Sequence, residues 1–250
     1  MAKKFDSVWT RAARQPRTSG LTRDHIVQAA IALLDEEGLE ALSMRKLGAH
    51  LGAGATSLYW YVANKNELLE LALDEFWGLV DDGGGLEEAG TLREVLTTYA
   101  YNMRSVLLAH PWAATLIGQL PSWGPRAFQL GERLRRTFTA AGFRKLDVYL
   151  AGGTVNSYVL GQVVPIIAME KAQGGPVRRA DLAETLDELA TDYPAMRADY
   201  RTVMPEDSTV GQALGFDFGL VCVLDGLETR LRTQRNTDTV SGETRTAGPA

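Results

Sequence analysis

Apolar residues recur at helical spacing along most of the chain, and they never alternate with period two for long enough to call for a sheet. Residues 1–20 are polar, basic and without apolar periodicity, which predicts a flexible arm. Ile26, Ala29, Ala30, Leu33 and Leu34 then share one helical face, with Thr22 as N-cap and Asp24 in the first turn complementing the helix dipole. Gly38 stands where a left-handed cap would end that helix. A short helix after Ser43 buries Met44, Leu47 and Leu51 and stops at Gly52. Leu58, Trp60 and Val62 follow, with Leu58 and Trp60 expected to point inward or to the junction with the next helix. Asn64 and Glu67 resemble a capping box. The helix they open carries Leu68, Leu69, Leu71, Ala72, Leu73, Phe76, Leu79 and Val80. It is apolar on more than one side, as befits a helix packed on its own domain and on another. Gly83-Gly84-Gly85 breaks it and marks a domain boundary.

Thr91 and Glu94 form a proper capping box for a helix to about Ala109, punctuated by His110-Pro111. A short helix to about Leu120, a loop at 121–125 and a helix from about Arg126 to Ala141 follow. Leu146 to about Lys171 reads as a long apolar helix, and Asp181 to Ala190 as a modest one. A final apolar helix runs from about Thr209 to Arg232. The expected fold is all-α: an N-terminal three-helix helix-turn-helix domain at 21–82, a larger helical domain at 86–233, and a polar, disordered tail at 234–250.

Composition narrows the function. A hydrophobic fraction of 45% and a charged fraction of 23% are those of a folded domain. The one cysteine, Cys222, rules out an intrachain disulfide and fits a reducing compartment. No signal-peptide pattern opens the chain. The longest apolar run, Tyr158 to Met169, is broken by Gly161 and Pro165 and falls short of the roughly 20 residues of a spanning helix. A cytoplasmic protein without a membrane partner is expected. The net charge of -5 argues against a general nucleic-acid-coating role. Its distribution says more. Lys3, Lys4, Arg11, Arg14, Arg17 and Arg23 are opposed before Asp24 only by Asp6, and no acid lies between Ala41 and Asn66. Acids crowd on both sides of that window, at Asp35, Glu36, Glu37 and Glu40 and at Glu67, Glu70, Asp74 and Glu75. A basic window in an acidic chain suits a small anionic footprint. His25, His50, His110 and Cys222 show no metal-ligand or nucleophile spacing, and no phosphate-binding glycine loop follows a strand. No enzyme, cofactor or metal is therefore expected.

Two short helices joined by a glycine-containing turn are the framework of a major-groove reader. The reading segment would be Ala55 to Tyr61, with Thr56, Ser57, Tyr59 and Tyr61 presenting hydroxyls and rings outward. Arg45 and Lys65 would bracket it as phosphate contacts. Such helix pairs also occur in proteins that never meet DNA, so a helical ligand-binding or interaction protein remains the alternative on spacing alone.

The stretch from Leu21 to about Glu75 resembles the DNA-binding domain of the tetracycline-repressor (TetR) family. The matching elements are Ala29-Ala30, Glu37-Gly38-Leu39, Ser43-Met44-Arg45-Lys46-Leu47, Leu51-Gly52, Leu58-Tyr59-Trp60, and Asn64-Lys65 with Leu68-Leu69. The resemblance implies a homodimeric repressor of a palindromic operator, with Ser43, Arg45, Thr56, Ser57, Tyr59, Tyr61 and Lys65 at DNA-contacting positions. The basic arm through Arg17 would reach a neighbouring minor groove. Ala55-Thr56 and Tyr61 depart from the base-reading residues of the tetracycline repressor, so the operator sequence does not carry over.

Further on, Leu107 to Trp112, Tyr158 to Gly161, Gly215 to Leu220 and Leu224 to Leu227 are similar to the C-terminal domain of that repressor type. This implies dimerisation through helices at about 146–171 and 209–232, and a small-molecule effector of unknown identity. Tyr99, Asn102, Met103, His110, Trp112, Trp123, Asn156 and Tyr158 are the expected pocket residues. The positions implied as ligands of a metal–tetracycline complex are Ile117 and Pro165, which cannot coordinate a metal, so a different effector is expected.

Overall fold

Thr22 takes an extended backbone and its hydroxyl accepts from the His25 amide at 3.1 Å, which starts α1 (Arg23–Glu37). A computed structural model describes residues 7–11, 21–86, 90–175, 179–203, 205 and 207–246, and the elements in them are helical. Ile26, Val27, Ala30, Ile31, Leu33 and Leu34 form the buried face of α1. Gly38 closes it with φ +81° and ψ 174°, a positive-φ but extended cap rather than the left-handed helical one expected. Ser43 caps α2 (Met44–His50) through the Lys46 amide at 3.2 Å, and Leu51 follows, half-buried. α3 (Ala55–Leu58) is a single turn, and Asn64 caps α4 (Lys65–Asp82) through the Glu67 amide at 2.9 Å.

Thirteen of the eighteen residues of α4 are buried, because the helix packs on α1 and also on α5 (Leu92–Ala109), α6 (Pro111–Leu116) and α7 (Pro125–Ala141). The Thr91 and Glu94 capping box forms in full, and these contacts hold the Glu94 carboxyl below the usual carboxylate range. Because α4 serves both sides, the chain does not divide at Gly83–Gly85 as expected. It forms two compact units that part between Tyr149 and Leu150.

The acids of α4 are not the solvated charges that their crowding suggested. Glu67, Glu70, Asp74 and Asp81 are all at most 9% exposed, and each has a partner. Asp74 accepts the amides of Arg126 at 3.3 Å and Ala127 at 3.0 Å, supplying the N-terminal cap that α7 lacks from its own neighbours. Burial nevertheless pushes its carboxyl up from the ordinary range. Gly124 leaves the room for this, since a Cβ there would lie 2.1 Å from Asp74 Cγ. Arg133 Nε stands 2.9 Å from Asp81 Oδ1, and Gln129 donates to Asp81 Oδ2 at 3.2 Å. Charged pairs with little access to water are lost as whole units when one partner is removed.

The second unit is built from α8 (Leu146–Gln173), which enters it at Leu150, α9 (Arg179–Leu189), α10 (Pro194–Thr202) and α11 (Ser208–Thr246). α10, with Pro194 at its first position, was not expected. α11 continues to Thr246, whereas residues 234–250 were expected to be disordered; residues 247–250 lie outside the described set. The Tyr158 hydroxyl donates to the Phe216 carbonyl at 2.5 Å and lies against Gly219, joining α8 to α11. α11 is apolar on opposite faces. Phe216, Leu220, Leu224, Leu227 and Leu231 are buried, while Leu214, Phe218 and Val221 are exposed. By length and hydropathy alone, α8 and residues 208–234 of α11 would each suffice to cross a membrane, although Pro165 interrupts α8 and Asp217 and Asp225 interrupt α11.

Asp187 receives Arg197 Nε at 2.6 Å and also the Arg201 guanidinium, clamping α9 to α10. These bonds depress its carboxyl from 3.8 to about 2. A depressed acid stabilises the folded form above the unfolded value and loses that contribution as pH falls through the folded one. Amide exchange in α9 and α10 is therefore expected to accelerate between pH 3.8 and about 2 in the wild type but not in Asp187→Asn. Equal profiles would remove the clamp.

Candidate nucleic-acid interface

α2 and α3 meet at Gly48, which is buried. A Cβ on Gly48 would lie 2.8 Å from the Ala53 carbonyl oxygen and 3.0 Å from the Ala55 nitrogen. The Ala53 amide donates to the Gly48 carbonyl at 2.8 Å, so the close approach is itself hydrogen-bonded. Gly52, at φ +63°, reverses the chain between the two helices in a conformation that favours glycine. Gly52 was recognisable in the sequence as a helix stop, whereas Gly48 sits inside the helix and only its neighbours reveal the need for it.

The turn after α3 corrects the reading of Trp60. The Val62 amide donates to the Leu58 carbonyl at 3.0 Å, so the chain continues one further helical turn and Leu58 and Val62 share the inner side. Leu47, Leu58 and Val62 are fully buried, while Trp60 is 57% exposed and Tyr59 46%. Thr56 and Ser57 are exposed beside them, and Tyr61 is half-buried. The outer side thus presents two hydroxyls and two aromatic rings on a rigid apolar base. Trp60 belongs to that surface, and sequence reasoning had placed it inside.

Arg45 is exposed on α2, Ser43 is exposed and spends its hydroxyl on the Lys46 amide, and Lys46 pairs with Glu37. Lys65, the first residue of α4, donates to the Leu39 carbonyl at 3.0 Å. Its ammonium therefore ties the start of α4 to the loop before α2, with two protons left for other acceptors.

The expected effector residues are distributed differently. Tyr99 is 2% exposed and donates to Met103 Sδ at 3.4 Å, and burial drives its phenol well above the usual range. Asn102 donates to the carbonyls of Val80 and Gly84, both at 3.2 Å, and so caps the end of α4. His110 Nδ1 lies 2.8 Å from Asp35 Oδ1, and Trp112 Nε1 donates to the same oxygen at 2.6 Å. Both therefore tie α6 to the end of α1. Trp123 is 47% exposed, and Asn156 and Tyr158 belong to the second unit.

The described part of the basic arm is not free. Ser7 to Arg11 forms a capped 3₁₀ turn, Val8–Thr10, against α4. Residues 1–6 and 12–20, with Lys3, Lys4, Arg14 and Arg17, lie outside the described residues.

Comparison with known proteins agrees with this geometry. Residues 26–72 match the family model of bacterial regulatory proteins of the tetR family, and residues 84–231 match that of the tetracyclin repressor-like C-terminal domain. A helix-turn-helix transcriptional regulator of Saccharopolyspora erythraea is 40% identical over 88% of this chain and 91% of its own length. The transcriptional repressor DrrR1 of Streptomyces coeruleorubidus is 30% identical over 94% of this chain and 88% of its own. Among solved structures, the Streptomyces coelicolor TetR family protein ActR in complex with actinorhodin superposes with a TM-score of 0.69 at 26% identity, covering 85% of this chain and 99% of ActR. The two-helix reader, the all-α fold and two family models that together span both halves lead to one conclusion: the chain belongs to the TetR family of DNA-binding, helix-turn-helix transcription regulators.

Proposed function

We propose that the chain is a transcriptional repressor that binds a palindromic operator as a homodimer and leaves it when a small-molecule effector binds. The observation that carries this is the division at α3: Leu47, Leu58 and Val62 are sealed from water, and Thr56, Ser57, Tyr59 and Trp60 face it. Hydroxyls and rings on a fixed base can meet phosphates and base edges with little entropy left to lose. Repression is supported by the relative DrrR1, a named repressor.

The proposed dimer joins α8 and α11 to their mates through the exposed face of Leu214, Phe218 and Val221, setting two reading units about 34 Å apart, or a near multiple, on successive major grooves. The effector site is proposed among the middle helices, with Tyr99, Met103, Trp123, Asn156 and Tyr158 as candidates and with Asn102, His110 and Trp112 transmitting strain through their contacts to α4 and α1. ActR is solved with actinorhodin, which supports an organic effector here. Ile117 and Pro165 exclude a metal–tetracycline complex by the alignment above. The effector must favour an arrangement with its readers out of register, and operator must weaken effector binding by the same factor. The site of action is the cytoplasm, where the DNA is.

The test is Arg45→Ala binding to an operator selected by the wild type. Loss of one phosphate contact lowers the slope of log affinity against log salt by about 0.9 and weakens all duplexes alike. Tyr59→Ala and Trp60→Ala are expected to change the selected bases instead. An unaltered salt slope in Arg45→Ala would remove Arg45 from the interface.

A further inference from the structure

The N-terminal turn offers an observation that the repressor reading does not use. Ser7 is 1% exposed, and its hydroxyl donates to Glu70 Oε2, which also accepts the Val8 amide at 3.1 Å. The same hydroxyl accepts the Trp9 amide at 3.3 Å, and Thr10 Oγ1 closes the capping box. Arg11 Nη1 lies 3.3 Å from Glu67 Oε2, the oxygen that accepts the Ala63 amide at 2.9 Å. Glu67 and Glu70 are 8% and 5% exposed. Two carboxylates that are costly to bury are thus satisfied in part by a segment more than fifty residues away in sequence. Glu67 stands in the first turn of α4, which begins with Lys65 and directly follows the reading segment. A cavity of about 240 Å³ beside this turn is lined by Ser7, Arg11 and Asn64 and by Gln119 to Pro121, so the turn also meets the loop before α7.

We propose that Ser7 to Arg11 is a strap docked on the first two turns of α4, and that Ser7, Arg11, Glu67 and Glu70 are positioning residues for DNA reading. The inference rests on the repressor reading. The strap holds the start of α4 against the loop at 119–121, and with it the turn from Leu58 to Val62 that aims Tyr59 and Trp60. Arg11 is spent on Glu67, so its contribution to operator affinity is geometric and carries no phosphate contact.

The test uses the full-length protein. Amide hydrogen exchange first reports docking: Val8 and Thr10 are expected to be protected in the wild type and to exchange freely in Ser7→Ala and Glu70→Ala. Operator binding is then measured for Ser7→Ala, Arg11→Ala, Glu70→Ala, Glu70→Gln and the Ser7→Ala/Glu70→Ala pair. Each alanine variant is expected to lose about threefold to tenfold in affinity at an unchanged salt slope, as the reading-competent state becomes less populated. Glu70→Gln keeps an acceptor for the Val8 amide and recovers part of the loss, and the double variant is no worse than its singles. Unprotected Val8 and Thr10 in the wild type overturn the docking. Full operator affinity with the strap released overturns the positioning role. A salt slope reduced by about 0.9 in Arg11→Ala shows a phosphate contact and overturns it too. A protected strap in a wild type that binds no DNA overturns the repressor reading, and the positioning role with it, while the docking stands.

Discussion

Gly48→Val is expected to abolish sequence-specific DNA binding while leaving the helical content of α4 to α11 intact. Ordinary helix propensity predicts the opposite sign for stability, since a glycine inside a helix costs about 0.5–1 kcal/mol relative to alanine. Here the first added carbon already lies 2.8 Å from the Ala53 carbonyl oxygen and 3.0 Å from the Ala55 nitrogen. Both are backbone atoms, so relief requires moving α3 as a body away from α2. Overpacking of this kind costs about 1–3 kcal/mol for small additions, and the branched valine lies at the upper end. The larger consequence is for reading. A shift of α3 takes Thr56, Ser57, Tyr59 and Trp60 out of register with the groove, and affinity is expected to fall towards the non-specific level, about 10³-fold or more. Gly48→Ala should show the same effect in weaker form, with a lower melting temperature. A Gly48→Ala protein of raised stability and full operator affinity would show that α2 and α3 do not meet as described.

Phe218→Arg is expected to yield a folded monomer that no longer holds operator DNA. Phe218 is 76% exposed within the chain, so the change alone should alter the stability of a monomer by no more than about 0.5 kcal/mol. In the proposed dimer the same position is covered. A desolvated, unpaired guanidinium then costs several kcal/mol, about 3–5 when a buried charge lacks its partner, and two-fold symmetry applies that cost twice. With one reading unit per particle, only half of the palindrome is engaged, and affinity should drop by roughly 10³. Sedimentation with circular dichroism separates the outcomes: a monomer of unchanged helicity agrees, and a persisting dimer moves the interface away from this face of α11.

Much of the fold was legible because local chemistry and tertiary packing agree. Thr22, Ser43, Asn64 and Thr91 each cap the helix that the sequence pattern assigns to them. The apolar spacing of α1 and α4 likewise marks their buried faces. What was not legible depends on neighbours distant in sequence. Trp60 looks like core until the Val62 to Leu58 hydrogen bond turns the inner side onto those two residues. Glu67, Glu70, Asp74 and Asp81 look like a solvated face until Ser7, Arg126, Ala127 and Arg133 arrive beside them. Asn102, His110 and Trp112 have the composition of pocket residues, yet their polar atoms bond to the end of α4 and to Asp35. No periodicity carries that information, because a hydrogen bond needs only one well-placed partner.

The central claim is that this face of α3 reads DNA as one half of a symmetric pair. Selection of random duplex DNA by the purified wild-type protein, followed by sequencing of the retained pool, tests it most directly. The account predicts an enriched inverted repeat with half-sites about one helical turn apart or a near multiple, bound by one dimer and released as salt is raised. A folded, dimeric protein that enriches no sequence would contradict it.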